Sequence, residues 1–118
     1  MRCPMIGTGP TRATPSSVTP NAARWEWERR YPLETIKAAC AIGLNTIELA
    51  KKHGGQGLSF SCKLRAFEEI ARHDFAFAFA LINHHNACAR FARDGQPAHV
   101  ARLLPRMLTG DLIGCAGL

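Results

Sequence analysis

The chain has 118 residues, a length typical of one domain with one modest hydrophobic core. Apolar residues make up 47% and charged residues 20%, which excludes an extensively disordered or fibrous protein. The net charge is +6, but the positive residues are dispersed along the chain, which argues against a nucleic-acid-binding protein. The most apolar segment, Phe75 to Ile82, is too short for a membrane span.

Residues 1–20 are rich in proline, glycine, serine and threonine, and this composition predicts a disordered tail. The tail lacks the continuous apolar stretch of a secretory signal, and its prolines argue against the amphipathic helix of an organelle presequence. The cysteines are widely spaced without a Cys-x-x-Cys pair, which is more typical of an intracellular protein than of a secreted disulfide framework. We therefore predict a cytoplasmic protein.

The ordered part is predicted to be an all-α bundle that begins at Asn21. A short helix over residues 21–30 carries Trp25 and Trp27 and ends before Pro32. Apolar residues at three-four spacing then predict a helix near 33–50. The glycine-rich segment 54–57 ends regular structure there, and Ser59 or Ser61 is placed to cap a helix near 61–72.

Two further helices are predicted in the second half of the chain. Asp74 is placed to cap a helix near 75–93, whose apolar residues run almost all the way round, so we expect it at the centre of the core. Pro97 opens a helix near 97–108. Residues 112–118 are apolar, contain glycine and are too few for a helix, so they are interpreted as an incipient strand at the C-terminus.

Polar residues on the apolar 75–93 helix are the first candidates for chemistry. Asn83, His84, His85 and Asn86 follow the apolar run, and such groups sometimes line a ligand pocket. His84 and Cys88 have the spacing of two metal ligands, but further ligands are missing, so no metal site is predicted. A nucleophile and base on one helix would lack an orienting third group, which argues against a catalytic His84–Cys88 pair.

Four segments in this order resemble the N-terminal helical domain of flavin-dependent acyl-CoA dehydrogenases, and the resemblance covers roughly residues 24 to 118. They are Pro32 to Leu44, His53 to Leu58 (HGGQGL), Phe67 to Asp74 (FEEIARHD), and Gly95 to Leu118, which includes Thr109-Gly110-Asp111. The resemblance implies a helical domain at 21–111, followed by the start of a middle β-domain at 112–118. In the family, FAD binds where this helical domain meets the middle and C-terminal domains.

The resemblance implies few site residues. Ala116 and Leu118 match positions at the flavin edge, where contacts are largely through the backbone. Phe79, Ile82, Asn83 and Asn86 fall on the helix that lines the acyl pocket in the family. The flavin-binding loop and the catalytic carboxylate belong to parts of the family that these 118 residues do not contain, so no catalytic residue is assigned.

The resemblance predicts a fragment of an enzyme that oxidises an acyl-CoA to the 2,3-enoyl-CoA with FAD. Its implied partners are the acyl-CoA, an electron-accepting flavoprotein and further copies of the chain, with no nucleic acid and no membrane span. The 118 residues alone are expected to be inactive. Two alternatives stay open: a small helical protein-interaction module without catalysis, and a basic nucleic-acid binder supported only by the charge and by Trp25 and Trp27.

Overall fold

The computed structural model describes residues 18–115. Five α-helices occur in this part, together with a 3-10 helix at Lys51–His53, and no residue of it is in a strand. The α-helices are α1 (Ala22–Glu28), α2 (Leu33–Ala41), α3 (Phe60–Ala71), α4 (Phe75–Asp94) and α5 (Pro97–Leu108). The predicted all-α class is confirmed, and four of the five helices lie within two residues of their predicted bounds.

Side-chain caps determine where α3 and α4 begin. The Ser59 hydroxyl accepts a hydrogen bond from the backbone N–H of Cys62 at 3.3 Å, which selects Ser59 over Ser61 as the cap of α3. Asp74 caps α4 by accepting a hydrogen bond from the backbone N–H of Phe77 at 3.0 Å. Helix α4 packs against both α3 and α5 and is therefore the central element of the fold.

The predicted helix over 33–50 is too long, since α2 ends at Ala41. Gly43 adopts a φ of +84°, a left-handed conformation that favours glycine, and the chain continues as a loop. Leu44, Ile47 and Leu49 are buried in this loop. Its carbonyl groups accept backbone hydrogen bonds from residues 56–58, as in the bond from Leu58 N–H to Ile47 O at 2.8 Å. The apolar spacing thus marked core residues correctly but assigned them to the wrong backbone conformation.

A buried asparagine joins this loop to α5. The side-chain amide nitrogen of Asn45 donates to the carbonyl oxygen of Leu108 at 3.1 Å, and the carbonyl oxygen of Met107 lies 3.4 Å from the same nitrogen. Carbonyl groups in the last turn of a helix have no partner within the helix, so Asn45 satisfies part of the C-terminus of α5.

The expectation that the whole Phe75 to Ile82 segment is core is wrong. Phe77 is 2% exposed and Leu81 is fully buried, but Phe75 is 72% and Phe79 is 57% exposed. Packing by α3 and α5 leaves one side of α4 uncovered in the described part of the chain. An apolar run all the way round a helix does not say which of its faces a neighbour covers.

The ends of the described part bear on two predictions. Val18 is fully buried in the core, and its carbonyl oxygen accepts a hydrogen bond from Asn21 N–H at 3.0 Å, three residues before the predicted start of the domain. Residues 112–115 contain no strand, and 1–17 and 116–118 lie outside the described residues, so most of the predicted tail and strand is untested. No helix among residues 18–115 is long and apolar enough to cross a membrane.

Candidate functional site

The four predicted pocket residues lie on one side of α4. Phe79, Ile82, Asn83 and Asn86 have helical spacing, and they range from half-buried (Ile82, Asn83) to exposed (Phe79, Asn86). The Phe79 ring stacks on the ring of Phe75, with 6.1 Å between the centroids. These residues form an open surface, which we call the α4 face. In the part of the chain that the structure describes, it is a wall and not an enclosed pocket.

A buried lysine fixes one end of the α4 face. The Lys63 ammonium donates a hydrogen bond to Asn86 Oδ1 at 3.2 Å and forms an ion pair with Glu48 Oε2. It also lies 4.9 Å from the centroid of the Phe60 ring. Because Lys63 is buried, its charge is removed from water, and these contacts offset much of that desolvation cost. Lys63 therefore determines the orientation of the Asn86 amide.

Sequence reasoning missed Lys63, although a signal was present. Lys63 precedes Ala66, Phe67 and Ile70 on α3 at intervals of three, four and seven residues, and all four are buried. A lysine within an apolar stripe needs a partner. The spacing alone did not reveal that the partners are Glu48, fifteen residues earlier, and Asn86 on the next helix.

His85 is fully buried beside this lysine. Its Nε2 accepts a hydrogen bond from the backbone N–H of Glu48 at 3.3 Å, and its ring meets Phe67 edge to face. Nδ1 has no hydrogen-bond partner among the described residues. Burial, with a smaller contribution from the Lys63 charge, lowers the pKa of His85 to about 4, so the imidazole is neutral near pH 7.

His84 is also buried, and both of its ring nitrogens are occupied. Nε2 donates to the carbonyl oxygen of Met107 at 2.9 Å, and Nδ1 accepts from the backbone N–H of Gly114 at 3.0 Å. This pattern assigns the neutral tautomer with its proton on Nε2. Burial lowers the pKa of His84, which favours the same neutral form.

The structure does not favour metal or nucleophilic chemistry at His84 and Cys88. No group of three or more histidine, cysteine, aspartate or glutamate side chains is placed to hold a metal ion within residues 18–115. The Cys88 sulfur lies 3.8 Å from His84 Nε2, but burial raises the pKa of the thiol to about 12. A thiol that stays protonated is a poor nucleophile. The pair is a packing contact between α4 residues one turn apart.

Ala116 and Leu118, the candidate flavin-edge positions, lie outside the described residues. The segment that leads to them packs closely on α4 and α5. A Cβ atom at Gly114 would stand 2.6 Å from Ala87 Cβ and 2.9 Å from Met107 Cε. Such distances are too short for non-bonded carbon atoms, so this approach requires glycine at position 114.

Comparisons with known proteins place the chain next to one group of enzymes. The profile of the family described as "Acyl-CoA dehydrogenase, N-terminal domain" matches residues 11–111. The mitochondrial isovaleryl-CoA dehydrogenase of Oryza sativa subsp. japonica is 25% identical over 105 residues, which cover 86% of this chain and 26% of the relative. The short-chain specific acyl-CoA dehydrogenase of Clostridium acetobutylicum is 27% identical over 104 residues, which cover 87% and 27%. The chain thus spans about a quarter of the length of these relatives.

Proposed function

The chain belongs to the acyl-CoA dehydrogenase N-terminal domain family, and from this premise we propose that it is the helical part of an FAD-dependent acyl-CoA dehydrogenase. The proposed whole enzyme is an oxidoreductase that acts on a CH–CH bond and converts an acyl-CoA to the 2,3-enoyl-CoA. In such an enzyme a base would remove the α-proton of the acyl thioester, and FAD would supply the acceptor for the hydride from the β-carbon. The match over residues 11–111 is the observation that carries this proposal.

We assign no flavin chemistry to the described residues, because they do not fit the cofactor by themselves. Tight binding of a large cofactor requires a cavity that encloses most of it, and the α4 face is open on the side away from α3 and α5. Ala116 and Leu118 remain the proposed flavin contacts of this chain. No residue of the chain is proposed as the catalytic base.

The proposed role of the α4 face is to form one wall of the acyl pocket. Phe79 and Ile82 offer apolar surface to a hydrocarbon chain, and Asn83 and Asn86 offer amide groups to polar atoms of the thioester or its surroundings. Lys63 holds the Asn86 amide from below the surface, so it is a positioning residue. Orientation of the acyl chain relative to the flavin is the contribution that a protein makes to this class of chemistry.

A chimeric enzyme tests this proposal. Residues 18–115 replace the matching segment of the Clostridium acetobutylicum enzyme, and the purified chimera is assayed with an acyl-CoA and an artificial electron acceptor. The proposal expects bound flavin, seen by absorbance between about 350 and 500 nm, and acyl-CoA-dependent reduction of the acceptor. A folded, flavin-containing chimera that does not oxidise any acyl-CoA would contradict it.

Two substitutions in the chimera test the α4 face. Phe79→Asp places a charge where the proposed acyl chain lies, so it should raise KM for the acyl-CoA by at least about tenfold. Leu64→Asp is the matched control, because Leu64 is an exposed apolar residue on α3 outside the α4 face. Equal KM values for the two variants would remove Phe79 from the proposed pocket.

The exposed aromatic residues support a second candidate, a helical interaction module without catalysis. Phe60, Phe75 and Phe79 are each more than half exposed, and Phe75 stacks on Phe79. Exposed apolar surface of this kind often marks a protein interface. This candidate expects the chain to associate with a protein partner, or with itself, and never to need flavin. Inactivity of a folded, flavin-containing chimera would favour it, whereas self-association of the isolated chain is expected from both candidates.

The remaining partners of the whole enzyme belong to the same proposal. They are an electron-accepting flavoprotein and further copies of the chain in a homo-oligomer. The cytoplasmic location stays a prediction, since one relative is mitochondrial by name and another comes from a bacterium.

A further inference from the structure

A groove separate from the α4 face lies where α1 meets the beginning of α4. Its volume is about 780 Å³, and none of the four predicted pocket residues lines it. The groove is not filled because several of the side chains that line it on both helices are small, namely those of Ala22, Ala23, Ala76 and Ala80. Trp25 and Phe77 also line it and stack on each other with 5.8 Å between their ring centroids. The groove therefore has a substantial apolar lining.

Two arginines at the end of α1 contribute positive charge to this groove. Arg29 and Arg30 both line it, and neither guanidinium group takes part in an ion pair or hydrogen bond of the described structure. The groove also contains the carboxylates of Glu26 and Asp74. Asp74 is already engaged, because one of its oxygens caps α4 through Phe77 N–H. Glu26 forms no ion pair with either arginine in the described structure, so two guanidinium groups face one carboxylate that caps no helix and retain net positive charge for an anion.

The backbone at Arg29 is strained. Arg29 has φ +50° and ψ +40°, and it is the only non-glycine residue with positive φ among residues 18–115. Glycine is the residue that adopts this conformation most easily at the end of a helix. Strained residues cluster at binding sites, where the surrounding structure maintains them. The arginine at this turn keeps a charged side chain at the groove, which glycine would not.

We propose that the groove binds an amphipathic monocarboxylate: an alkyl chain packs along the alanine-lined surface, and the carboxylate contacts Arg29 and Arg30. Guanidinium groups bind carboxylates through charge-assisted, often bidentate, hydrogen bonds. The apolar lining removes hydrocarbon from water, and the carboxylates of Glu26 and Asp74 would repel a second negative charge on the ligand. This site does not depend on the proposed dehydrogenase activity and uses none of the residues assigned to it.

Fluorescence of Trp25 measures binding directly. The chain contains two tryptophans, and Trp27 is highly exposed, so Trp27→Phe leaves Trp25 in the groove as the only tryptophan. This variant is titrated with octanoate and, separately, with 1-octanol, which has the same chain length and no charge. Octanoate should give a saturable change and bind at least about tenfold more tightly than 1-octanol. No saturable change, or equal affinity for the two probes, would overturn the proposal.

Two pairs of variants test the two halves of the site. The double variant Arg29→Gln, Arg30→Gln should weaken octanoate binding at least about tenfold and leave the affinity for 1-octanol unchanged. Its control, the double variant Lys51→Gln, Lys52→Gln, removes the same charge away from the groove and should change the affinity for neither probe. Ala76→Leu should fill the groove and block both probes, whereas Ala98→Leu on α5 should not. Full octanoate affinity in either groove variant would overturn the proposal.

The dependence of octanoate affinity on ionic strength tests the role of the arginines without requiring that an arginine variant folds. Raising the ionic strength should weaken octanoate binding and leave 1-octanol binding unchanged, because only the carboxylate interacts through charge. Octanoate binding that is insensitive to salt would show that hydrocarbon burial alone accounts for it, and would overturn the assignment of Arg29 and Arg30.

Discussion

The imidazole of His84 and the backbone N–H of Gly114 form a hydrogen bond of 3.0 Å across thirty residues of chain. Because the other ring nitrogen of His84 donates to Met107 O, one buried side chain joins α4, the end of α5 and the segment after α5. That segment leads to Ala116 and Leu118, the proposed flavin contacts. His84 is therefore a structural link between the helical core and the C-terminal segment.

Gly114→Ala should destabilise the chain by about 1–3 kcal/mol, because the new methyl group would collide with Ala87 Cβ and Met107 Cε. Chemical denaturation measures this change. Ala87→Gly removes the nearer of the two contacts, so Gly114→Ala should cost less in the Ala87→Gly background than in the wild type. Additive effects of the two substitutions would show that the predicted collision does not occur.

Stability should fall as the pH is lowered from about 6.5 to about 4, with His85 as one of the groups responsible. The pKa of His85 is lowered in the folded state, so the unfolded chain binds its proton first and acid favours unfolding. The contribution is fully present above the unfolded pKa of about 6.5 and is lost toward the folded value, with a limiting slope of about 1.4 kcal/mol per pH unit.

Urea denaturation at several pH values measures this dependence, and His85→Gln should reduce its slope. His99→Gln is the control, because His99 is exposed on α5. A pH profile of His85→Gln that is identical to that of the wild type would mean that His85 gains its proton equally easily in both states. The comparison uses slopes, so a general loss of stability in the variant does not affect it.

Lys63→Met should destabilise the chain by about 1–3 kcal/mol, since it leaves Glu48 without its cation and Asn86 without its donor. Adding Glu48→Gln should recover part of this loss by removing the unpaired charge. Lys37→Met is the matched control, because it breaks an ion pair with Asp111 in which both side chains are exposed, and it should leave the unfolding midpoint unchanged. Similar losses for the two lysine variants would show that burial of Lys63 does not matter.

Phe77→Ala should cost about 3–5 kcal/mol, whereas Phe79→Ala should cost less than about 1 kcal/mol. Phe77 is 2% exposed and stacks on Trp25, but Phe79 is 57% exposed. Thermal or urea unfolding of the two variants tests the difference. If both substitutions caused the same large loss, the α4 face would be covered, and the open surface described above would be wrong.

Local sequence signals predicted where the helices α3, α4 and α5 begin. Ser59, Asp74 and Pro97 act on residues within one turn of themselves, so the starts of α3, α4 and α5 could be read from the sequence. The end of α2 could not, because the loop after it is stabilised by hydrogen bonds from residues 56–58 and by the hydrogen bond from its own Asn45 to the carbonyl oxygen of Leu108 on α5. These partners are distant in sequence, and periodicity carries no information about them.

In the candidate site, too, local spacing predicted some features, and others depend on residues that are distant in sequence. Helical spacing alone places Phe79, Ile82, Asn83 and Asn86 on one side of α4, and the structure agrees. Whether that side is core or surface depends on which neighbours pack on α4, so Phe79 was wrongly expected in the core. The Lys63–Asn86 contact joins two helices, and the roles of His84 and His85 depend on backbone groups of Met107, Gly114 and Glu48.

The 118-residue chain by itself should neither retain FAD nor oxidise an acyl-CoA. The described residues offer an open wall at the α4 face, so little of a flavin would be removed from water, while the entropic cost of immobilising the cofactor would remain. The exposed rings of Phe60, Phe75 and Phe79 should instead promote self-association. Absorbance between about 350 and 500 nm, an acyl-CoA assay with an artificial acceptor, and size-exclusion chromatography test these expectations.

Phe75→Ser with Phe79→Ser should shift the chain toward the monomer, and Trp27→Ser, which removes another exposed aromatic residue on α1, should not. A yellow, monomeric chain that reduces the acceptor would contradict the prediction, since it would show that these residues enclose a flavin without further domains.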